Sequence, residues 1–387
     1  MYRKVLISLI GFFAVVTAVQ SQTVATTNRS EEVRKHYELA QTYEQAGNWT
    51  AAESEWRQAV AIQSNDARAW TNLGTVLNKQ NKRQEAEDAW KHAIEIDPQL
   101  GGPYVNLGAI YFRTGRYEDA KYVLVRGVAI EPKNVQTREL LALSLIALES
   151  FAEAAEQLEV LDAQKPRQPP ILLALGQCYL RLKTYAKAVR RLQELVDVSP
   201  SSAQAHLLLG EALDNTSESE RALAELRQAV KIDPRLPEGH YALGYMLLKK
   251  GEMEEAARYF TEELQINPGM SLALYHLGKI NLSRGRIEDA VSMLSKVIEI
   301  TPDFRPGLEA LGQALFKKGD ARGAVEVLER AVKLDPNWPD GHVLLGRAYS
   351  KVGRREDARK EFAIAQSLSS EERKRLEKEV QGSKKRP

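Results

Sequence analysis

A beat of 34 residues runs through this chain without a slip. Ten times leucine is followed by glycine or alanine: Leu39-Ala40, Leu73-Gly74, Leu107-Gly108, Leu141-Ala142, Leu175-Gly176, Leu209-Gly210, Leu243-Gly244, Leu277-Gly278, Leu311-Gly312 and Leu345-Gly346. Twelve positions after each pair comes an alanine, from Ala52 and Ala86 through to Ala324 and Ala358. A period of this length excludes a single globular core. It specifies stacked units, each burying its apolar face only against its neighbours.

With position one of the unit set at Val33, each unit reads as two helices. The first carries bulky residues at positions four, seven and eleven, as in Trp70, Leu73, Leu77 or Tyr104, Leu107, Tyr111. Spacings of three and four place them on one helical face. The second carries the alanine at position twenty and a large residue at twenty-four, such as Trp56, Trp90, Leu124 or Phe260. Small residues at eight and twenty let the paired helices approach, and the large ones fill the seams. Glycine at position fifteen suits the left-handed residue that commonly ends a helix. It stands at Gly47, Gly115, Gly251, Gly285, Gly319 and Gly353. Asn81 also suits that conformation, whereas Glu149, Lys183 and Ser217 suit it less. Proline stops the second helix in eight units, from Pro98 to Pro336, because it lacks the donor needed to continue. Ser64 and Ser370 replace it in the first and last.

These residues resemble the tetratricopeptide-repeat family across residues 33–372. The resemblance implies an all-α fold: a right-handed superhelical solenoid of ten helix-turn-helix units with a C-terminal capping helix. Residues 373–387 are then the end of that cap, followed by a basic tail with Lys384, Lys385 and Arg386. The family's signature residues are structural, so the resemblance bears on fold far more than on partner.

The N-terminus reads as an export signal over residues 1–21. Arg3 and Lys4 precede an apolar stretch from Val5 to Val19, and Ala18 and Ser21 offer small residues for cleavage. Fifteen apolar residues suit a signal core and are short for a spanning helix of about 17–25 residues. An uncleaved anchor over residues 5–19 is the other reading. Both place the repeats outside the cytoplasm, in a bacterial periplasm or secreted. Residues 22–32 read as a flexible lead. Arg3 and Lys4 account for the whole formal charge of +2, so the remainder is neutral. That balance argues against a nucleic-acid partner.

No phosphate loop, dinucleotide fingerprint, nucleophile elbow or zinc-ligand spacing occurs, and the chain reads as non-enzymatic, with no catalytic residue, cofactor or metal. His36, His206, His240 and His342 share position four, where other units place Trp70 or Tyr104, and so read as packing residues. Cys178, the one cysteine, takes an apolar position and reads as a buried thiol. Asn28, Asn48, Asn215 and Asn281 begin glycosylation sequons, but Asn281 falls among interior positions.

The resemblance further implies that positions two, five, six, nine, twelve and thirteen line a concave groove. Units one and two are polar there. Units three to five are apolar, with Val105, Phe112, Leu143, Ile146 and Leu173, and units seven to nine bring Tyr241, Tyr245, Tyr275 and Phe316 with Lys249, Lys279 and Lys317. A carboxylate clamp known in the family is matched only at Asn72, and an asparagine ladder only at Asn72 and Asn106. The expected function is a protein-interaction adaptor binding a peptide or partner helix along that groove. A membrane-anchored structural subunit of an envelope assembly or export complex is the alternative. The expected partners are proteins or peptides, with membrane contact only if the N-terminal segment is retained.

Overall fold

The computed structural model describes the backbone of residues 29–383 and the side chains of residues 29–370. The export segment, most of the lead and the basic cluster of the tail lie outside the described residues. Among the described residues there are twenty helices and no strand. They divide into two compact units, Met1–Arg191 and Leu192–Pro387, the division falling within the helix Tyr185–Val198.

Position one of the period is where the helices begin. Ala67–Lys79, Gly101–Arg113, Val135–Ala147 and Pro169–Arg181 in the first unit start on it, as do Ala203–Asp214, Ser271–Ser283, Arg305–Lys318 and Pro339–Lys351 in the second. Asp66, Asn134 and Ser202, each one residue earlier, accept backbone N–H groups through their side chains and so cap the helices that follow. Within each unit a first helix packs on its own second helix, and that second helix packs on the next first helix. In each unit several successive first helices also touch, as Gly101–Arg113 touches Val135–Ala147 and Arg305–Lys318 touches Pro339–Lys351, so they lie on one side of their unit.

The glycine at position eight admits the large residue at position twenty-four. A Cβ on Gly74 would stand 2.5 Å from Trp90 Nε1, and one on Gly312 would stand 2.6 Å from Leu328 Cδ2. Neither distance is tolerable, because cores are packed to crystal-like density. The alanines at position twenty are buried throughout, and so are Trp56, Trp90, Leu124, Leu192 and Phe260 at twenty-four.

All ten turns are left-handed at position fifteen, whatever the residue. Glu149, Lys183 and Ser217 have φ of 56°, 56° and 64°, and Gly115 and Gly285 have 75° and 77°. The residue after each turn donates its N–H to the carbonyl five back: Arg116 to Tyr111 at 2.9 Å, Thr184 to Tyr179 at 2.9 Å, Glu252 to Leu247 at 2.9 Å. This is a Schellman closure. The packing on either side imposes it even where the local sequence opposes it.

Position four has a second duty besides filling space. In six repeats its side chain donates to the carbonyl at position thirty-two of the preceding repeat, just beyond the end of that second helix, whereas Leu172, Leu274 and Leu308 hold the position in three others and only fill space. In the first unit Trp70 reaches Ser64 at 2.9 Å, Tyr104 reaches Pro98 at 3.1 Å and Arg138 reaches Pro132 at 2.8 Å. In the second unit His206, His240 and His342 reach Pro200, Pro234 and Pro336 through Nε2 at 3.0, 2.9 and 2.9 Å. What these unlike residues share is a donor of the right reach.

One boundary differs from the sequence expectation. The first helix covers residues 29–45, so residues 29–32 are helical and not lead. Arg29 fixes this extra turn by donating Nε to the Ile62 carbonyl, at 2.9 Å, where the helix Trp49–Ile62 ends. At the other end the expected capping helix is present as a continuation of the last repeat. With serine at position 370 in place of proline, the second helix of repeat ten runs unbroken over Arg355–Ser383.

Candidate partner-binding face

In the first unit, neighbouring repeats meet at positions expected to line the groove. Asn106, at position six of repeat three, donates Nδ2 to Thr75 Oγ1, at position nine of repeat two, 3.3 Å away. Beyond this polar start the face turns apolar. Leu143 is 45% exposed, and Phe112, Ile146 and Leu173 are half-buried, with Phe112 tilted against Tyr117 at 5.6 Å between centroids. Val105 is only 8% exposed, so it packs within the repeat and offers no surface to a partner.

In the second unit the same positions bring aromatic rings together. Tyr241 and Tyr245, one turn apart on the helix Gly239–Lys249, stack at 6.1 Å. His276 of the helix Ser271–Ser283 lies 6.1 Å from Tyr241 and 5.5 Å from Tyr245, with Tyr275 beside it at 5.1 Å. Phe260 stacks on the inner side of His276 at 5.4 Å. Burial first, and the charge of Lys279 second, push the His276 imidazole down to about 4, so it is neutral near pH 7. Burial likewise pushes the Tyr241 hydroxyl up to about 12. Tyr245 is 40% exposed, and Phe316 is exposed on the helix Arg305–Lys318. Three of the expected site residues, Tyr241, Tyr245 and Tyr275, therefore form one cluster around His276, and Phe316 is not among its ring contacts.

Two of the positions expected to line the groove here carry glutamate. Glu211, at position nine of repeat six, is half-buried, and its carboxyl is pushed up to about 7, chiefly by burial and then by the charge of Glu238. Glu238 itself sits at φ 65°, a left-handed value that costs a non-glycine residue about 1–2 kcal/mol. Repeat seven is irregular for this reason: its first helix starts at Gly239, two residues late. The buried Glu263 closes that end, accepting the N–H of Glu238 at 3.3 Å and of Tyr241 at 3.2 Å. Sequence reasoning passed over Glu211, Glu238 and His276. Pro237 at position one does not mark the late start, because Pro169 and Pro339 stand at the same position in helices that begin on it.

The position-four histidines are occupied structurally. His36 meets Glu55 at 2.6 Å, and His206 and His342 meet Glu225 and Glu361 at 2.5 Å, all through Nδ1. His240 has Glu262 at 3.0 Å, off the hydrogen-bonding line. Among the described residues no cluster of three His, Cys, Asp or Glu side chains could hold a metal, and no helix is long and apolar enough to cross a membrane. Cys178 is 1% exposed, and burial pushes its thiol up to about 11, which suits an inert thiol. Asn281 is buried, as its position required.

Tetratricopeptide-repeat models match residues 173–237 and 215–271, then 247–314, and a further repeat model matches 312–353. Residues 14–165 match the model of the C-terminal domain of cilia and flagella-associated protein 70. Together with ten helix pairs in phase, these decide the family. The chain is a tetratricopeptide-repeat protein. As such it has the architecture of a scaffold for protein–protein interaction.

Solved structures of similar fold include the APC/C hetero-tetramer Cut9–Hcn1, at 15% identity over 86% of this chain and 72% of that one, with a TM-score of 0.47. MamA from Desulfovibrio magneticus RS-1 is similar at 24% identity over 44% of this chain and 96% of its own, with a TM-score of 0.42. A repeat protein from Cytophaga hutchinsonii is similar at 19% identity over 59% and 93%, with a TM-score of 0.47. No functionally curated protein matches the sequence.

Proposed function

We propose that this tetratricopeptide-repeat protein is an exported, non-enzymatic adaptor that captures an extended or helical peptide along its first-helix face. One observation carries the reading: apolar side chains stay exposed on that face in both units, Leu143 in one and Tyr245 and Phe316 in the other. Apolar surface left uncovered at repeated positions of one face marks a protein-binding surface. Leu143, Phe112, Ile146 and Leu173 would anchor a partner in the first unit, and Tyr241, Tyr245, Tyr275 and Phe316 in the second.

The export assignment rests on residues 1–21, and N-terminal sequencing of the mature protein tests it. A new terminus after Ala18 or Ser21 supports release into the periplasm or medium, and an intact Met1 supports an anchor.

The face itself is tested by crosslinking the native protein, recovering partners by mass spectrometry, and repeating this with Phe112→Ala/Ile146→Asp. The expected result is loss of the partner with unchanged far-UV helicity. Retention of every partner would sink the reading for the first unit. That outcome would favour the second reading, a structural subunit of an envelope assembly docking through second-helix surfaces. The specific observation on its side is exposed Tyr122 and Val125 on the helix Tyr117–Ile130, with exposed Val160 on Phe151–Gln164, where other repeats place mostly polar residues.

A further inference from the structure

A cleft of about 590 Å³ opens between repeats two and three of the first unit. Ile94 of the helix Arg83–Ile96 lines one side, and Tyr122 and Val123 of Tyr117–Ile130 line the other. The buried Tyr104, Leu107 and Tyr111 of Gly101–Arg113 make the floor. Most charges in this lining are taken. The buried Glu87 accepts from Tyr111 at 2.8 Å, Lys91 at 2.7 Å and Arg116 at 3.0 Å. Arg116 also meets Asp119 at 2.7 Å, and Glu95 faces His92 at 3.1 Å.

Arg126 is the exception. Arginine stands at position twenty-six only here and in repeat nine. There Arg330 donates to the carbonyl of Pro302, at position thirty-two of the preceding repeat, at 2.7 Å, and Leu308 at position four offers no competing donor. In repeat three the equivalent carbonyl, that of Pro98, already has Tyr104 as its donor at 3.1 Å. Among the described residues Arg126 makes no hydrogen bond or ion pair, and its exposed side chain lines the cleft opening. Beside it Tyr122 is 78% exposed, at a position where the other nine repeats place only Ser, Ala or a charged residue.

We infer that this cleft takes a segment of a partner protein in which a glutamate or aspartate adjoins a large aliphatic side chain. The carboxylate pairs with Arg126, and the aliphatic group enters between Ile94 and Tyr122. A guanidinium without an acceptor binds a carboxylate through paired, charge-assisted hydrogen bonds, and the apolar lining rewards burial of the neighbouring group. A basic segment would instead meet Lys91, Arg116 and Arg126 around one opening, which is the physical basis of the selectivity. The site opens between second helices, so it goes beyond the first-helix reading and does not depend on it.

The test uses the full chain labelled with fluorotyrosine, with the Tyr122 and Tyr245 resonances assigned through Tyr122→Phe and Tyr245→Phe. The probes are two blocked pentapeptides, Ala-Leu-Glu-Leu-Ala and Ala-Leu-Gln-Leu-Ala, titrated by fluorine NMR. The glutamate peptide is expected to shift the Tyr122 resonance and to bind about fivefold more tightly than the glutamine peptide. Arg126→Met is expected to abolish that preference, with an unchanged peptide-free spectrum as its folding control, since Arg126 holds no other group in place. Equal binding of both peptides overturns the carboxylate assignment. A preference that survives Arg126→Met places the carboxylate elsewhere and overturns the site. A Tyr122 resonance that neither peptide moves overturns the cleft. If Tyr245 moves in that case, the first-helix reading stands without it.

Discussion

The two units are built on the same interior and carry different faces. At position eight glycine meets Trp90 in the first unit and Leu328 in the second, with equally little room. Where position four carries a donor it reaches the preceding carbonyl in both, through Trp, Tyr and Arg in one and through histidine in the other. Their first-helix faces, by contrast, share almost nothing. One presents aliphatic Leu143 and Ile146, and the other presents tyrosines gathered around His276. The difference shows that the period constrains only what lies between helices. Positions that meet solvent are free to diverge, and partner choice resides there.

The comparison is broken most severely at the shared interior. Gly108→Val in the first unit and Gly312→Val in the second each push a side chain into the leucine at position twenty-four. Each should destabilise its unit by about 1–3 kcal/mol, read as a fall in the urea midpoint. Similar losses in both are expected. A neutral effect in either would show that its helix pair can spread and that the interiors are not equivalent.

A smaller effect separates the faces. Between the ordinary carboxylate range and about 7, folded Glu211 holds a proton that the unfolded chain has released. Stability therefore falls as pH rises through that window. Its neighbours are Glu238, which adds to the effect, and the compensated pair Lys249–Asp214. Glu211→Gln should flatten the slope and stabilise the second unit by about 1–2 kcal/mol at mildly alkaline pH, with little change at mildly acidic pH. Urea titrations at both conditions check this, and an unchanged slope would mean that the carboxyl is solvated.

The smallest effect concerns the turns. Lys183→Gly in the first unit should stabilise by about 1 kcal/mol, because the left-handed backbone there strains a side-chain-bearing residue. The reverse change, Gly251→Lys in the second unit, should cost about the same. Thermal unfolding of both variants reads this, and a loss on Lys183→Gly would mean that its side chain contributes more than the strain removes.

The helix starts, the turns and the interior were legible because each is fixed by residues within one repeat, or one repeat apart, and the period displays those ten times over. The expected face residues were legible in part. Tyr241, Tyr245 and Tyr275 do gather, but Val105 is taken up by packing. The donor role of position four was hidden because Trp, Tyr, Arg and His have no common composition, only a common reach to one carbonyl. The left-handed turns at Glu149, Lys183 and Ser217 run against local preference, which only packing could override.

By itself, then, the sequence determined the number of helices, their phase and which residues face inward, since a repeating interior must repeat its side chains. Only the tertiary structure decided that Tyr241, Tyr245, Tyr275 and His276 lie together. They come from two neighbouring repeats, at positions where the period imposes nothing, so only the packing of one helix on the next could bring their rings into contact.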